Sequence, residues 1–154
     1  MRRDCSLRHA PGMDSDLTEH AAPLRSIVVF DGICLFCNGW VRFIATRDRL
    51  RRFHFARAQS TYGSQQMIAA GVEPTSLQTI VLASDGRYLI KSDAILEILH
   101  GLGGAWRLVR LFRFIPRGMR DAAYDFIARN RYSIRGKADT CPLPPRALSD
   151  RFIE

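Results

Sequence analysis

The stretch Ser26–Ile44, SIVVFDGICLFCNGWVRFI, places an apolar run, an Asp-Gly pair and two cysteines three residues apart ahead of a second apolar pattern. Ile27, Val28, Val29 and Phe30 are all strand formers, and a short unbroken run of them reads as a buried strand. Asp31-Gly32 ends it. From about Leu35, the residues Phe36, Val41, Phe43 and Ile44 mark a helix, with Asn38-Gly39 a weak point in propensity. Cys34 and Cys37 therefore fall where a strand hands over to the first turn of a helix. A thiol there meets unpaired backbone N–H groups and the positive end of the helix dipole, and both favour thiolate. Cys34, nearest the helix start, reads as the attacking thiol. Cys37 lies one turn further on the same face, near enough to close a disulfide, and reads as the resolving thiol.

Further along, RRFHFARA alternates, with Phe53 and Phe55 on one side and Arg52 and His54 on the other, as a half-buried strand with a surface His54 would. Ser60–Ala70 reads as a helix stopped by Gly71 and Pro74. Thr79–Leu82 is a strand, Ser84-Asp85-Gly86 a hairpin turn and Arg87–Ile90 the returning strand. Ser92 is an N-cap with Asp93 in the first turn, and the helix behind it carries Ile95, Leu96, Ile98, Leu99 and Leu102 until the glycines at 101, 103 and 104. His100, late in that helix, is accounted for by the dipole alone. Trp106–Phe114 and Arg117–Arg129 read as two further helices separated by Pro116.

The order is βαβα, then ββ, then helices. The first half closes a parallel pair through a right-handed crossover, and the hairpin adds an antiparallel edge. This is an α/β, thioredoxin-like plan: a four-stranded mixed sheet flanked by helices, with extra C-terminal helices. That fold carries its redox pair at the end of the first strand and the start of the first helix. Residues 1–25 read as a flexible tail, within which Met13 is an alternative start. Residues 26–140 form the domain, and 141–154 an irregular, proline-rich tail.

A chain of 154 residues with 47% hydrophobic content suits one core. No apolar run approaches the roughly 18 residues that cross a bilayer, and no apolar segment follows the basic pair near the N-terminus. The expectation is a soluble, cytoplasmic protein whose thiols stay reduced. Its net charge of +8 is mostly arginine, in Arg47–Arg57 and again from Arg107 to Lys137. Such a surface is either simply solvated or drawn to an acidic partner or an anionic membrane surface. Specific nucleic-acid recognition is not expected, since no zinc-finger spacing or RNP-like aromatic motif is present. In the second block Arg107, Arg110, Arg113, Arg117 and Arg120 recur at spacings of three and four. They line one stripe of a basic amphipathic helix, whose apolar face belongs either on the domain core or at such a surface.

Asp31 precedes Cys34 by three residues, and a buried carboxylate there could move a proton to or from a thiol. It could equally serve the turn, with Gly32 permitting a close backbone approach. Leu35-Phe36, between the cysteines, offers an apolar lip for an apolar protein or lipid-like substrate. A structural zinc needs four ligands, of which one C-X-X-C supplies two. Cys141 with His9, His20, His54 or His100 shows no ligand spacing to complete the set, so no metal is expected.

VVFDGICLFCNGWVRFI resembles the D-G-x-C-x-x-C signature of the DCC family of predicted thiol-disulfide oxidoreductases. The resemblance continues through GRYLIKSDAILEILHGLGG and RFIPRGMRDAAYDFIARNRYSIRGKADTC, and so covers about Ser26 to Cys141. It implies a thioredoxin-like fold and dithiol chemistry at Asp31, Gly32, Cys34 and Cys37. It also brings in Ser92, Asp93, Tyr124, Asn130, Arg131 and Tyr132 by position, without roles. One departure concerns the cis-proline that precedes the third strand in thioredoxins and glutathione transferases: Thr79 stands at about that place, where a trans bond is expected. LIKSDAILEIL is also similar to a helix start that holds the glutathione carboxylate in glutathione transferases, so Ser92 and Asp93 either bind substrate or simply cap the helix. The reading is an enzyme exchanging disulfides with a protein or a low-molecular-weight thiol, without a cofactor. The alternatives are a non-catalytic binding module that docks through its basic helices, or a metal-binding domain.

Overall fold

The computed structural model describes residues 26–76, 79–138 and 146–153. Its sheet has the order β4-β3-β1-β2-β5. β1 (Ser26–Phe30) pairs in parallel with β2 (Phe53–Arg57) and antiparallel with β3 (Val81–Ser84), so Val28 lies opposite both Phe55 and Leu82. β3 turns into β4 (Arg87–Ile90) through Asp85 and Gly86, both with positive φ, the backbone that a two-residue hairpin of matching twist requires. The thioredoxin-like α/β architecture, a central mixed sheet flanked by helices with additional C-terminal helices, is therefore present.

The sheet has five strands where four were expected. Phe152–Ile153 forms β5, parallel to β2, at the end of a 3-10 turn over Arg146–Arg151. Within the expected irregular tail, residues 146–153 are thus regular. Arg151 secures them: its guanidinium is buried and donates to the carbonyls of Phe53 and Ala45 and to the Asp48 carboxylate. Interior placement also corrects the reading of β2. Phe53, His54, Phe55 and Ala56 are all buried, because helices cover both faces of the sheet and β5 covers the edge. His54 is accordingly a buried residue rather than a surface one.

On one face, α1 (Leu35–Arg47) and α3 (Lys91–Leu102) bring Val41, Ile44, Ala94 and Ile98 onto Val28, Phe30, Phe53, Phe55 and Leu82. On the other, α2 (Thr61–Ala69) sets Met67 on Val29, Ala56 and Val81. α2 starts at Ser60, whose Oγ accepts the Gly63 N–H at 3.1 Å. A Cβ at Gly63 would come within 1.9 Å of the Arg57 carbonyl, so only glycine lets this helix sit so close to β2.

The C-terminal half departs from the sequence reading in two respects. α4 runs over Arg117–Arg135, beyond the expected Arg129, and stops at Gly136, whose φ is 84°. The segment before it, Gly104–Phe114, is a 3-10 helix with no buried residue. Its apolar side chains do not pack into the core as those of an α-helix there would.

Candidate functional site

Cys34 is the N-cap of α1, and its Sγ accepts the Cys37 N–H at 3.3 Å. Both thiols are free. Cys34 is wholly buried, whereas Cys37 is half-buried and lines a cavity. The cover over Cys34 comes from the end of the domain. After the reversal at Gly136, Lys137 forms an isolated antiparallel bridge with Cys34, and the Ala138 N–H donates to the Ile33 carbonyl at 2.9 Å. Burial raises the Cys37 thiol far above its ordinary range. Its bond with Cys34, the charge on Cys34 and the charge on Asp31 add to this, and Arg131 works against it.

Asp31 ends β1 fully inside the protein. Its Oδ1 accepts from Gln59 Nε2 at 2.7 Å and from the Ile33 N–H at 3.2 Å. Its Oδ2 takes Arg131 Nη2 at 3.1 Å and the Tyr132 hydroxyl. Every partner is a donor, the pattern a carboxylate needs when it is buried. Burial disfavours the charged Arg131, yet its bonds to Tyr132 and Asp31 hold its pKa above the usual arginine value. Burial, then Asp31, push the Tyr132 hydroxyl up. Gln59 also accepts the buried Gly32 N–H at 3.0 Å, and Asn38 Nδ2 donates to the carbonyls of Gly32 and Cys34. The turn before the dithiol is thereby fixed from both sides.

The cavity, of about 640 Å³, lies between the end of β1, α1, α3 and α4. Asp31, Phe36, Cys37, Thr79 and Ser92, five of the residues singled out from sequence, all line it. Leu35 is exposed and lies on the side of Gly136 instead. The residues described include no cis peptide bond. The amide after Thr79 is already used: Tyr124 accepts the Ile80 N–H at 2.8 Å, and burial raises this tyrosine to about 12.

Ser92 is not an N-cap. α3 begins at Lys91 after Ile90, which makes no side-chain cap bond. Ser92 is buried one position inside the helix, and its N–H and hydroxyl both donate to Asp121 Oδ1 of α4. Arg120 joins Ser92 Oγ and Asp93, and Arg117 also reaches Asp93. Here the protein's own carboxylate takes the α3 amide that a bound carboxylate would otherwise use.

Sequence reasoning missed Gln59, for which no local pattern gives a signal. It met Arg131, Tyr132 and Tyr124 only by resemblance, and the structure now supplies their contacts. Asn130, carried over with them, bonds back to the Phe126 carbonyl on its own helix. Cys141, His9 and His20, weighed as extra metal ligands, lie outside the described residues.

Comparison with known proteins matches residues 28–137 to a family described as DCC1-like thiol-disulfide oxidoreductase. Uncharacterized protein YuxK of Bacillus subtilis is 36% identical over 137 residues, covering 89% of this chain and 99% of that protein. The chloroplastic DCC family protein At1g52590 of Arabidopsis thaliana is 36% identical over 120 residues, covering 77% of this chain and 70% of that one. No solved structure matches. The matched span runs from the strand before Asp31 to the lysine bridged to Cys34, so it takes in both cysteines and the buried cluster beside them; the chain belongs to the DCC family, and its Cys34–Cys37 pair is a thiol-disulfide dithiol.

Proposed function

We propose that the enzyme reduces disulfides of a protein or a low-molecular-weight compound at the cytoplasmic side, with Cys34 attacking and Cys37 resolving. The observation that carries this reading is the Cys37 N–H held on Cys34 Sγ at the helix start, opposite a Cys37 thiol pushed upward by burial. Negative charge is thereby favoured on one sulfur of the pair. Thiolate Cys34 attacks the substrate disulfide, forms a mixed disulfide and expels the first substrate thiolate. Cys34 then carries no charge, so two of the influences that held Cys37 protonated lapse. Cys37 loses its proton and attacks the Cys34 sulfur. The second substrate thiol leaves, and a Cys34–Cys37 disulfide remains for a thiol or dithiol reductant to reopen.

Because Cys34 is covered, the attack requires the bridge to Lys137 to open, and Gly136 supplies the pivot. Asp31, with Arg131, sets the field at Cys37 rather than serving as a free base, since its oxygens are taken up by donors. Gly32 holds the turn. Phe36, Thr79 and Ser92 are cavity wall, and Leu35 and Asp93 act through the segments they steady.

Accessibility favours a second reading. Cys37 is the sulfur facing the cavity, so a substrate thiolate could attack an oxidised pair at Cys37, with Cys34 leaving as thiolate and the enzyme acting as oxidant. Redox titration followed by thiol alkylation and mass spectrometry tests both. A reversible two-electron couple lost in Cys34→Ser and in Cys37→Ser is the expected result. A mixed disulfide trapped on Cys34 in Cys37→Ser supports the first direction, and one trapped on Cys37 in Cys34→Ser supports the second. A pair that oxidises only in denaturant removes both.

A further inference from the structure

The sequence Arg107–Ile115, RLVRLFRFI, repeats with a period of three. An α-helix would smear such a period around its surface, but a 3-10 helix has about three residues per turn and stacks residues i and i+3 in rows. Gly104–Phe114 is that helix. Arg107, Arg110 and Arg113 form one row, all exposed. Leu108, Leu111 and Phe114 form the next and are 67%, 61% and 86% exposed. The third row faces the domain only in part: Trp106 meets the Phe43 ring edge-on at 5.4 Å, while Phe112 and Ile115 wall the mouth of the dithiol cavity and stay 56% and 36% exposed. A row of large apolar side chains facing solvent beside a row of guanidinium groups has no folding rationale, because nothing in the described residues covers it.

We propose that this segment docks the protein on an anionic lipid surface, with the Leu108–Leu111–Phe114 row entering the headgroup boundary and the arginine row on lipid phosphates. Charge is the argument for this occupant. Residues 104–118 contain four arginines and no carboxylate. Among the described residues the ion pairs take Arg117, but none takes Arg107, Arg110 or Arg113. A second copy of the chain meeting this face about a two-fold axis would bring like-charged rows together. A protein partner would meet a face whose only hydrogen-bonding side chains are guanidinium groups, whereas a bilayer asks for apolar depth and cationic flank alone. No described helix is long and apolar enough to cross a membrane, so the association is with one leaflet. Docking in this way sets the rim of the dithiol cavity at Phe112 and Met119 towards the lipid.

Flotation of the full chain with vesicles of phosphatidylcholine alone, and of phosphatidylcholine mixed equally with phosphatidylglycerol, tests the proposal. The wild type is expected to float with the mixed vesicles and not with the neutral ones. The Leu108→Ser, Leu111→Ser, Phe114→Ser triple variant should bind more than about tenfold more weakly, because three apolar side chains lose their transfer into the interface. Arg107→Gln, Arg110→Gln, Arg113→Gln should lose the preference for anionic vesicles. The redox couple of Cys34 and Cys37 should be unchanged in both triple variants, which separates this proposal from the dithiol reading. Any of three results overturns it: no flotation of the wild type, equal flotation of the wild type and the apolar variant, or a wild-type dimer that ignores vesicles and dissociates when the apolar row is replaced.

Discussion

Two buried aspartate–arginine pairs lie at opposite ends of the parallel strands β1 and β2 and do different things with the same chemistry. At Asp48 and Arg151, all but a few per cent of both side chains is withdrawn from water, and the guanidinium spends its other donors on the carbonyls of Phe53 and Ala45. That pair fastens β5 and the turn after α1 to β2. At Asp31 and Arg131 burial is equally complete, and Arg131 also donates to the Ala128 carbonyl, yet here the side chains of Gln59 and Tyr132 join the pair and its field falls on Cys37. The lesson is that a buried ion pair is not in itself a functional mark. What it faces decides: backbone carbonyls in one place, a thiol in the other.

Breaking each pair from the arginine side is the largest test of that contrast. Arg151→Ala leaves the Asp48 carboxylate buried without its counter-charge and should cost about 3–5 kcal/mol in chemical denaturation. The thiols of the molecules that remain folded should titrate as in the wild type. Arg131→Met should destabilise to a similar extent and, in addition, move the Cys37 titration further up, because Arg131 is the group that lowers it. Equal thiol titration in both variants would erase the distinction drawn here.

A smaller effect sharpens it. Tyr132→Phe removes the hydroxyl's bond to Asp31 and the one it accepts from Arg131, each a hydrogen bond to a charged group worth about 1.5–3 kcal/mol, and has no counterpart at the Asp48 pair. Denaturation measures the loss. Tyr124→Phe, which deprives the buried Ile80 N–H of its acceptor, should cost about 1–3 kcal/mol by the same measurement.

The least costly test is acid, applied to the α3–α4 junction. Burial pushes Asp121 up, but the Ser92 bonds, Arg117 and Lys91 outweigh it, so its carboxyl is held below the ordinary aspartate value. The stability it lends is complete above the unfolded-state pKa near 3.9 and is lost as pH falls through the lower folded value. The stability gap between wild type and Asp121→Asn should therefore be constant near neutrality and shrink below about pH 4. A gap that widens in acid would reverse the assignment.

The elements near the dithiol were legible because each is local. A β-branched run, an Asp-Gly stop, a cysteine at a helix start and a Ser60 cap are decided by neighbours within a few residues. Asp31, Cys34 and Cys37 fall inside one strand–turn–helix, and the structure keeps them together. Ser92 shows where local reading fails. Its position permits an N-cap, but Asp121, 29 residues on, captures its hydroxyl. His54 fails for the same reason: alternation indicates two faces, not whether both are covered.

The amino-acid sequence by itself determined the strand–helix frame, the placement of the cysteine pair at a helix N-terminus and the family-wide dithiol chemistry. Periodicity, capping and motif spacing act over a few bonds and need no distant partner. Only the tertiary structure decided that Cys34 lies beneath Lys137, that Arg131 and Tyr132 reach Asp31 across about a hundred positions, and that a two-residue strand closes the sheet. It also decided that an arginine every third residue winds as a 3-10 helix and leaves its apolar row in solvent. Burial and ion pairing are made by chain segments that meet only after folding. Their energies depend on what each group faces there, and no local pattern carries that information.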